Sequence, residues 1–281
     1  LPGRETSQKL GERSFPPNKN EYSSETAMKR RTFSQLLSIG TAASAAGLWS
    51  QDVFADAKGD KLLGAVDATI YKAKTQYLEY EATIRVPEKS DRTVKLAVWM
   101  KNDWRLSEFL APSDVKGTKV LILSPTQMYV YLPAYKKVRR IASHTTDQGF
   151  MGMNFTQDEL SITNYAKMYT ATVAKDDGKL VTLALAAKKD ANAPYPKIEL
   201  VCDKAKNLPV EIRYFNDEGT KLKTETRGAY TTEKECHAPA ELKMVDHMKG
   251  GASTTLSRKA WKVNIDIPDS KFSKRALEEG S

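Results

Sequence analysis

Leu78-Glu79-Tyr80-Glu81-Ala82-Thr83-Ile84-Arg85-Val86 is the stretch whose reading decides the fold class. Apolar residues alternate with Glu, Thr and Arg, the period of a strand with one dry face and one wet face. Val94, Leu96, Val98 and Met100 repeat the pattern, Asn102-Asp103 supplies a turn, and Trp104, Leu106 and Leu110 open a third strand.

Upstream the period changes. Leu62, Leu63, Val66, Ile70 and Ala73 fall at helical spacing, with Asp60, Lys61, Asp67 and Lys72 left for the other side, so residues 59–76 read as a helix. Downstream, further strands are expected at about 118–124, 127–132, 136–141, 165–174, 179–187, 196–203, 208–215, 220–230, 240–248 and 254–265. Turn signals such as Asp176-Asp177-Gly178 and Asn216-Asp217-Glu218-Gly219 separate most of them. Asp269 or Ser270 caps a short closing helix that contains Phe272, Ala276 and Leu277. Many short strands with few helices imply a mainly β protein built on a large, curved antiparallel sheet.

The N-terminal part reads as an address. Met28-Lys29-Arg30-Arg31-Thr32-Phe33 is a basic start, a short apolar stretch follows, and Val53-Phe54-Ala55-Asp56-Ala57 offers a small-residue cleavage site near Ala55–Ala57. Residues 28–57 are therefore expected to be an export signal. The arginine pair resembles the twin-arginine type; a general secretory signal is the alternative. Polar residues 1–27 lie upstream of a plausible start methionine and read as a non-native or mis-assigned extension. Residues 58–281 form the single expected domain, placed in the periplasm, with no span apolar enough for a membrane.

That domain holds 37 basic against 29 acidic side chains, a net charge of +8. In a periplasm this suits anionic head groups or an acidic protein, or forms a solvated basic surface; nucleic acid is not an expected partner. Cys202 and Cys236 are compatible with one disulfide in an oxidising compartment, because meander strands would bring the two chain positions to the same edge. A reducing compartment would make them buried thiols.

Chemistry is sparse. His144, His237 and His247 form no metal-binding spacing, there is no G-x-S-x-G elbow and no Gly-rich phosphate loop, and the carboxylates are scattered. No catalytic residue, metal or cofactor is expected. The unusual stretch is Arg105 to Leu160, where apolar residues occupy both faces of several strands: Val98 beside Trp99, Met128 beside Tyr129, Val130 beside Tyr131. Phe150-Met151-Gly152-Met153-Asn154-Phe155 adds a glycine-bearing, methionine-rich loop of the kind that repacks against varied ligands. Ordinary core with a loop tucked over it fits the same residues.

Three segments carry a family likeness: Pro112-x-Asp114-x-Lys116-Gly117-Thr118, Tyr131-Leu132-Pro133 through Arg139-Arg140-Ile141, and Phe155-Thr156 through Asp158-x-Leu160. In these the chain resembles the outer-membrane lipoprotein-sorting superfamily, the LolA/LolB-like proteins, in a periplasmic branch of uncharacterised members. The resemblance implies an unclosed antiparallel β-barrel, a half-barrel, with helices covering a concave face that receives acyl chains. It implies a non-catalytic carrier of lipoprotein or another lipid towards the outer membrane, working between an inner-membrane exporter and an outer-membrane acceptor. A lipid-sensing or exporter-associated subunit is the alternative. Expected lining residues are Trp99, Trp104, Met128, Tyr129 and Tyr131, with Phe150, Met151, Met153 and Phe155 as a gating loop, and Arg139 and Arg140 as head-group contacts.

Overall fold

The computed structural model describes residues 56–124, 126–141, 150–156, 158, 159, 162 and 164–279. The extension, the paired arginines, the signal and His144 lie outside the described residues.

The chain is mainly β, as its alternation requires. The described residues contain thirteen strands in one antiparallel sheet that does not close. The first six are β1 (Thr75–Arg85), β2 (Arg92–Lys101), β3 (Trp104–Ala111), β4 (Lys119–Ser124), β5 (Gln127–Leu132) and β6 (Lys137–Ile141). The remaining seven are β7 (Tyr169–Asp176), β8 (Leu180–Ala187), β9 (Lys197–Asp203), β10 (Leu208–Phe215), β11 (Lys221–Glu233), β12 (Cys236–Asp246) and β13 (Ala252–Val263). The order β6-β5-β4-β3-β2-β1-β13-β12-β11-β10-β9-β8-β7 is two meanders joined where the first strand pairs with the last. Residues 142–168 therefore separate the two free edges in sequence, and among the described residues of this segment Met153 and Phe155 pack against one face of the sheet.

Register settles which side chains share that face. Leu78, Val98, Ser107, Val120 and Val130 lie in one row across β1 to β5. The adjacent row, Tyr77–Trp99–Leu106–Leu121–Tyr129, points the other way because successive strand residues alternate. The inner face of β1–β5 packs Ala82, Val94, Leu96, Phe109, Ile122 and Met128 against Met153 of the connecting segment. The inner face of β7–β13 packs Leu183, Leu185, Ile198, Leu200, Ile212 and Met244 against helix α1 (Ala57–Ile70) and the short helix α2 (Tyr165–Met168).

Helix α1 is capped by Asp56, whose carboxylate accepts from Lys58 N at 3.0 Å, and it presents Leu63 and Val66 to the core. It also closes the β7 edge. Asp56 N donates to Ala171 O at 3.2 Å, and Asp60 Oδ1 accepts from Ala171 N at 2.8 Å, so this edge residue has no backbone group left to recruit another chain. At the opposite edge β6 is guarded by charge: Lys137, Arg139 and Arg140 are all exposed.

Four sequence expectations change. The helix ends at Ile70 rather than running to residue 76, and Asp67 is buried on its inner side. There its carboxylate accepts from Tyr165 N and Ala166 N at 3.1 and 2.7 Å, satisfying free donors at the start of α2. The expected strand at 165–174 begins as α2, because Asn164 caps it through Lys167 N at 2.8 Å. The closing helix α3 (Lys274–Glu278) is capped by Ser273, after a 3-10 turn over Asp269–Phe272.

The fourth concerns the thiols. Cys202 and Cys236 are both free and buried. β10 and β11 stand between β9 and β12, so the two cysteines are three strand spacings apart, about 14 Å across the sheet before their offset along the strands, beyond the roughly 7 Å between Cα atoms that a disulfide spans. Burial pushes the Cys202 thiol up to about 12.

Candidate functional site: an apolar cavity on the inner face

The inner rows of β1–β4 do not meet the opposite half of the sheet everywhere, and a cavity of ≈ 200 Å³ remains. Leu96, Val98, Phe109 and Ile122 form one wall, and Met153 and Phe155 of the connecting segment form part of another. Wholly apolar cavities of about 150 Å³ stay dry and take up a benzene-sized molecule; this one combines such a wall with Arg105, Glu159, Glu225, Arg227 and His237. An apolar group of that scale is what this wall can shelter.

The connecting segment is pinned by buried polar contacts. Glu159 accepts from Thr156 N at 2.6 Å and from Thr156 Oγ1 at 2.7 Å; the backbone contact is the return half of a capping box. Lys223 Nζ reaches the other Glu159 oxygen at 2.6 Å, and the Tyr195 hydroxyl donates to the same oxygen. Asn154 N donates to Thr254 Oγ1 at 2.8 Å. The plug is thus fastened to β11 and β13, with Met153 packed in the β1–β5 cluster and Phe155 in the β7–β13 cluster. A second buried set lies beside it: Arg227 Nε and the Tyr214 hydroxyl both reach Glu225, at 2.7 and 2.8 Å. Burial opposes the charge on Arg227, but the Glu225 carboxylate wins and holds its guanidinium above the usual range.

The expected site residues divide between the two faces. Met153 and Phe155 line the cavity, and Met128 is buried with Met153 on the same face. Met151 packs at the edge of that cluster with φ 53°; Phe150 begins the 3-10 turn Phe150–Gly152. Trp99, Trp104, Tyr129 and Tyr131 do not line it. They occupy the outer face, packed with Phe272 and Leu277 of the C-terminal tail. Lys271 Nζ sits 3.9 Å from the Trp99 ring centroid and Lys274 Nζ 4.5 Å from that of Tyr129, and Trp104 meets Phe272 at 5.8 Å. Arg139 and Arg140 lie on edge strand β6, away from the cavity: Arg139 stacks on Tyr135 and Arg140 donates to Thr126 O at 2.8 Å.

The lining that was missed, Leu78, Tyr80, Leu96, Val98 and Phe109, comes from the residues that carried the alternation in the first place. Continuing the parity of Leu78 and Tyr80 into β2 groups Val98 with them and sets Trp99 on the other face. Among the histidines, His237 reaches the cavity and shares a hydrogen bond with Thr232 at 2.9 Å, and His247 shares one with Thr224 at 2.8 Å. Among the described residues, no group of three or more His, Cys, Asp or Glu stands where it could hold a metal, and no helix is long and apolar enough to cross a membrane.

With this geometry in place, similarity to known proteins can be assigned. A family model described as an uncharacterized protein family matches residues 101–279. The chain belongs to that family, and its fold is LolA-like. An outer membrane lipoprotein-sorting protein domain from Vibrio parahaemolyticus is 25% identical, with a TM-score of 0.69 over 79% of this chain and 99% of that one. A DUF1329 family protein from Desulfovibrio piger is 20% identical, with a TM-score of 0.72 over 78% of this chain and 98% of its own. A LolA superfamily protein from Nitrosomonas europaea is 16% identical, with a TM-score of 0.66 over 78% and 98%. No curated protein matches the chain by sequence.

Within this LolA-like fold the three likeness-bearing segments have structural duties. Pro112–Thr118 is the β3–β4 turn, where Gly117 has φ +80° and donates to Phe109 O at 2.8 Å. A Cβ on Gly117 would stand 3.2 Å from Pro133 of the β5–β6 turn, so the first two segments fit against each other. In the third segment, Thr156 and Glu159 form the cap of the plug.

Proposed function

We propose that the protein is a non-catalytic periplasmic carrier that shelters an acyl chain of a lipoprotein or another lipid against the inner rows of β1–β4, for delivery towards the outer membrane. The observation that carries this reading is the apolar cavity, bounded on one side by a separate segment of chain rather than by the sheet alone. Each buried CH₂ favours such transfer by about 0.8 kcal/mol. The LolA-like fold and the similarity to a lipoprotein-sorting domain support a sorting role.

The cavity as it stands takes a short apolar group. A full acyl chain requires residues 150–156 to move outward, and the residues with the best reason to hinge are Met151 and Gly152, at φ 53° and 84°. Inner-membrane exporter and outer-membrane acceptor are the expected loading and unloading partners.

Native mass spectrometry of gently purified protein tests the proposal. Co-purifying acylated molecules, lost on substituting Val98→Glu in the cavity wall, are the expected result. A protein that stays empty and takes up no lipid from vesicles of phosphatidylethanolamine and phosphatidylglycerol would overturn it.

A further inference from the structure

Besides the tyrosines, five side chains on the cavity wall carry charge or can acquire it: Arg105, Glu159, Glu225, Arg227 and His237. Four of these have protein partners. Glu159 is held by Lys223, Tyr195 and Thr156; Glu225 and Arg227 hold each other; His237 bonds Thr232. The part-exposed Arg105 side chain has neither ion pair nor hydrogen bond among the described residues, and of its guanidinium nitrogens Nε is buried without an acceptor. A buried guanidinium N–H without an acceptor is costly, because desolvation of a charged donor goes uncompensated. Arg258 is a poor rival. One of its Nη atoms also lacks an acceptor, but the other donates to Thr231 and the guanidinium lies over the Trp261 ring at 4.6 Å.

The position of Arg105 gives its charge a direction. It lies in the inner row Gln76–Met100–Arg105–Ile122–Met128, next to the row Leu78–Val98–Ser107–Val120–Val130. The next residues inward on the same strands are Leu96 and Phe109. Arg105 therefore places a cation without a counter-ion beside the apolar rows of β1–β4, while both carboxylates of the wall are already paired with protein cations. A guanidinium matches a carboxylate or phosphate in planar, two-point fashion.

Building on the carrier reading, we propose that Arg105 receives the anionic head, carboxylate or phosphate, of an amphiphile whose alkyl chain lies along the inner rows of β1–β4. The site discriminates by head-group charge, and the apolar rows accept any chain that fits.

Isothermal titration calorimetry of the full chain with octanoate, octyl phosphate, octan-1-ol, octylamine and inorganic phosphate tests this. Octanoate and octyl phosphate are expected to bind at least about tenfold tighter than octan-1-ol, with octylamine weakest and inorganic phosphate undetected. Arg105→Gln should bring octanoate down to the level of octan-1-ol while leaving octan-1-ol itself unchanged, and Arg105→Lys should restore much of the preference. The unchanged octan-1-ol affinity shows that the variant is folded. Equal binding of octanoate and octan-1-ol by the wild type overturns the head-group proposal and leaves the carrier reading standing. Inorganic phosphate binding as tightly as octyl phosphate makes Arg105 a free-anion site and overturns it too. Binding of none of the octyl ligands overturns both.

Discussion

Single residues decide how α1 seats on the sheet. A Cβ on Gly59 would lie 2.4 Å from Ala171 O and 2.7 Å from its carbonyl carbon, both backbone atoms of the β7 edge. Gly59→Ala is expected to lift the helix from that edge and cost about 1–3 kcal/mol, as overpacking does. Gly64→Ala, on the same helix with nothing within 4 Å, should instead stabilise by up to about 1 kcal/mol. Opposite shifts of the two urea midpoints are the expected result, and parallel shifts would contradict the packing argument. The Lys223–Glu159 pair, 9% and 2% exposed, gives a second test. Glu159→Gln or Lys223→Met alone should cost roughly 3–5 kcal/mol by stranding a buried charge, and the double variant should cost less than the sum. Additive losses in that cycle would mean the two groups do not act as a pair. Neither Gly59 nor Glu159 advertises its role in the sequence. Gly59 looks like a weak helix residue, and Glu159 is one of many scattered carboxylates until the fold places Lys223 against it.

At the scale of elements, alternation in the sequence yields nearly every strand, because a half-buried strand must alternate. What alternation does not carry is which face turns inward. Val98 and Trp99 are both apolar, and parity separates them without ranking them; aromatic size favours Trp99 for a ligand pocket. The C-terminal tail decides the matter. It covers the outer face of β2–β6, anchored by Lys101 Nζ on Ile267 O at 2.7 Å and by Lys119 Nζ on Glu279 O at 2.9 Å, and it gives those aromatics a dry surface. The tail reads as a loop and a short helix, and nothing in its own residues says which face it covers. Phe272→Ala is therefore expected to cost about 3–5 kcal/mol and to shift tryptophan emission to the red as Trp104 and Trp99 gain water. An unshifted spectrum would show that the tail does not shield them. The cysteines failed for a related reason: a meander brings every second turn to one edge, but adjacency in space also needs adjacency in strand order.

For the whole molecule, the buried tyrosines set an alkaline limit. Burial pushes Tyr71, Tyr80 and Tyr230 up to about 12, from 10.0, against the pull of nearby arginines. The folded state then keeps protons that the unfolded chain releases. Their contribution is fully present below pH 10.0 and is lost as pH rises through about 12. Urea midpoints should fall across that window in step with tyrosinate absorbance. A flat midpoint across that window would contradict the burial of these hydroxyls.

The seam between β1 and β13 bears on how the chain reaches this state at all. Within each meander every strand pairs with its immediate neighbour in sequence, so those contacts form over short loops. The seam pairs Ile84 with Thr254 and Gln76 with Val263, and it ties the two halves at the middle of the sheet. A chain growing from its N-terminus can assemble β1–β6 early, but β1 waits with one open edge until the ribosome has delivered almost all of the sequence. The loop closed by that pairing is among the longest the chain could form, so it carries a large share of the sheet's loop-closure entropy. Until it forms, the central strand is the aggregation hazard, which gives a cell reason to shield the half-made protein during synthesis.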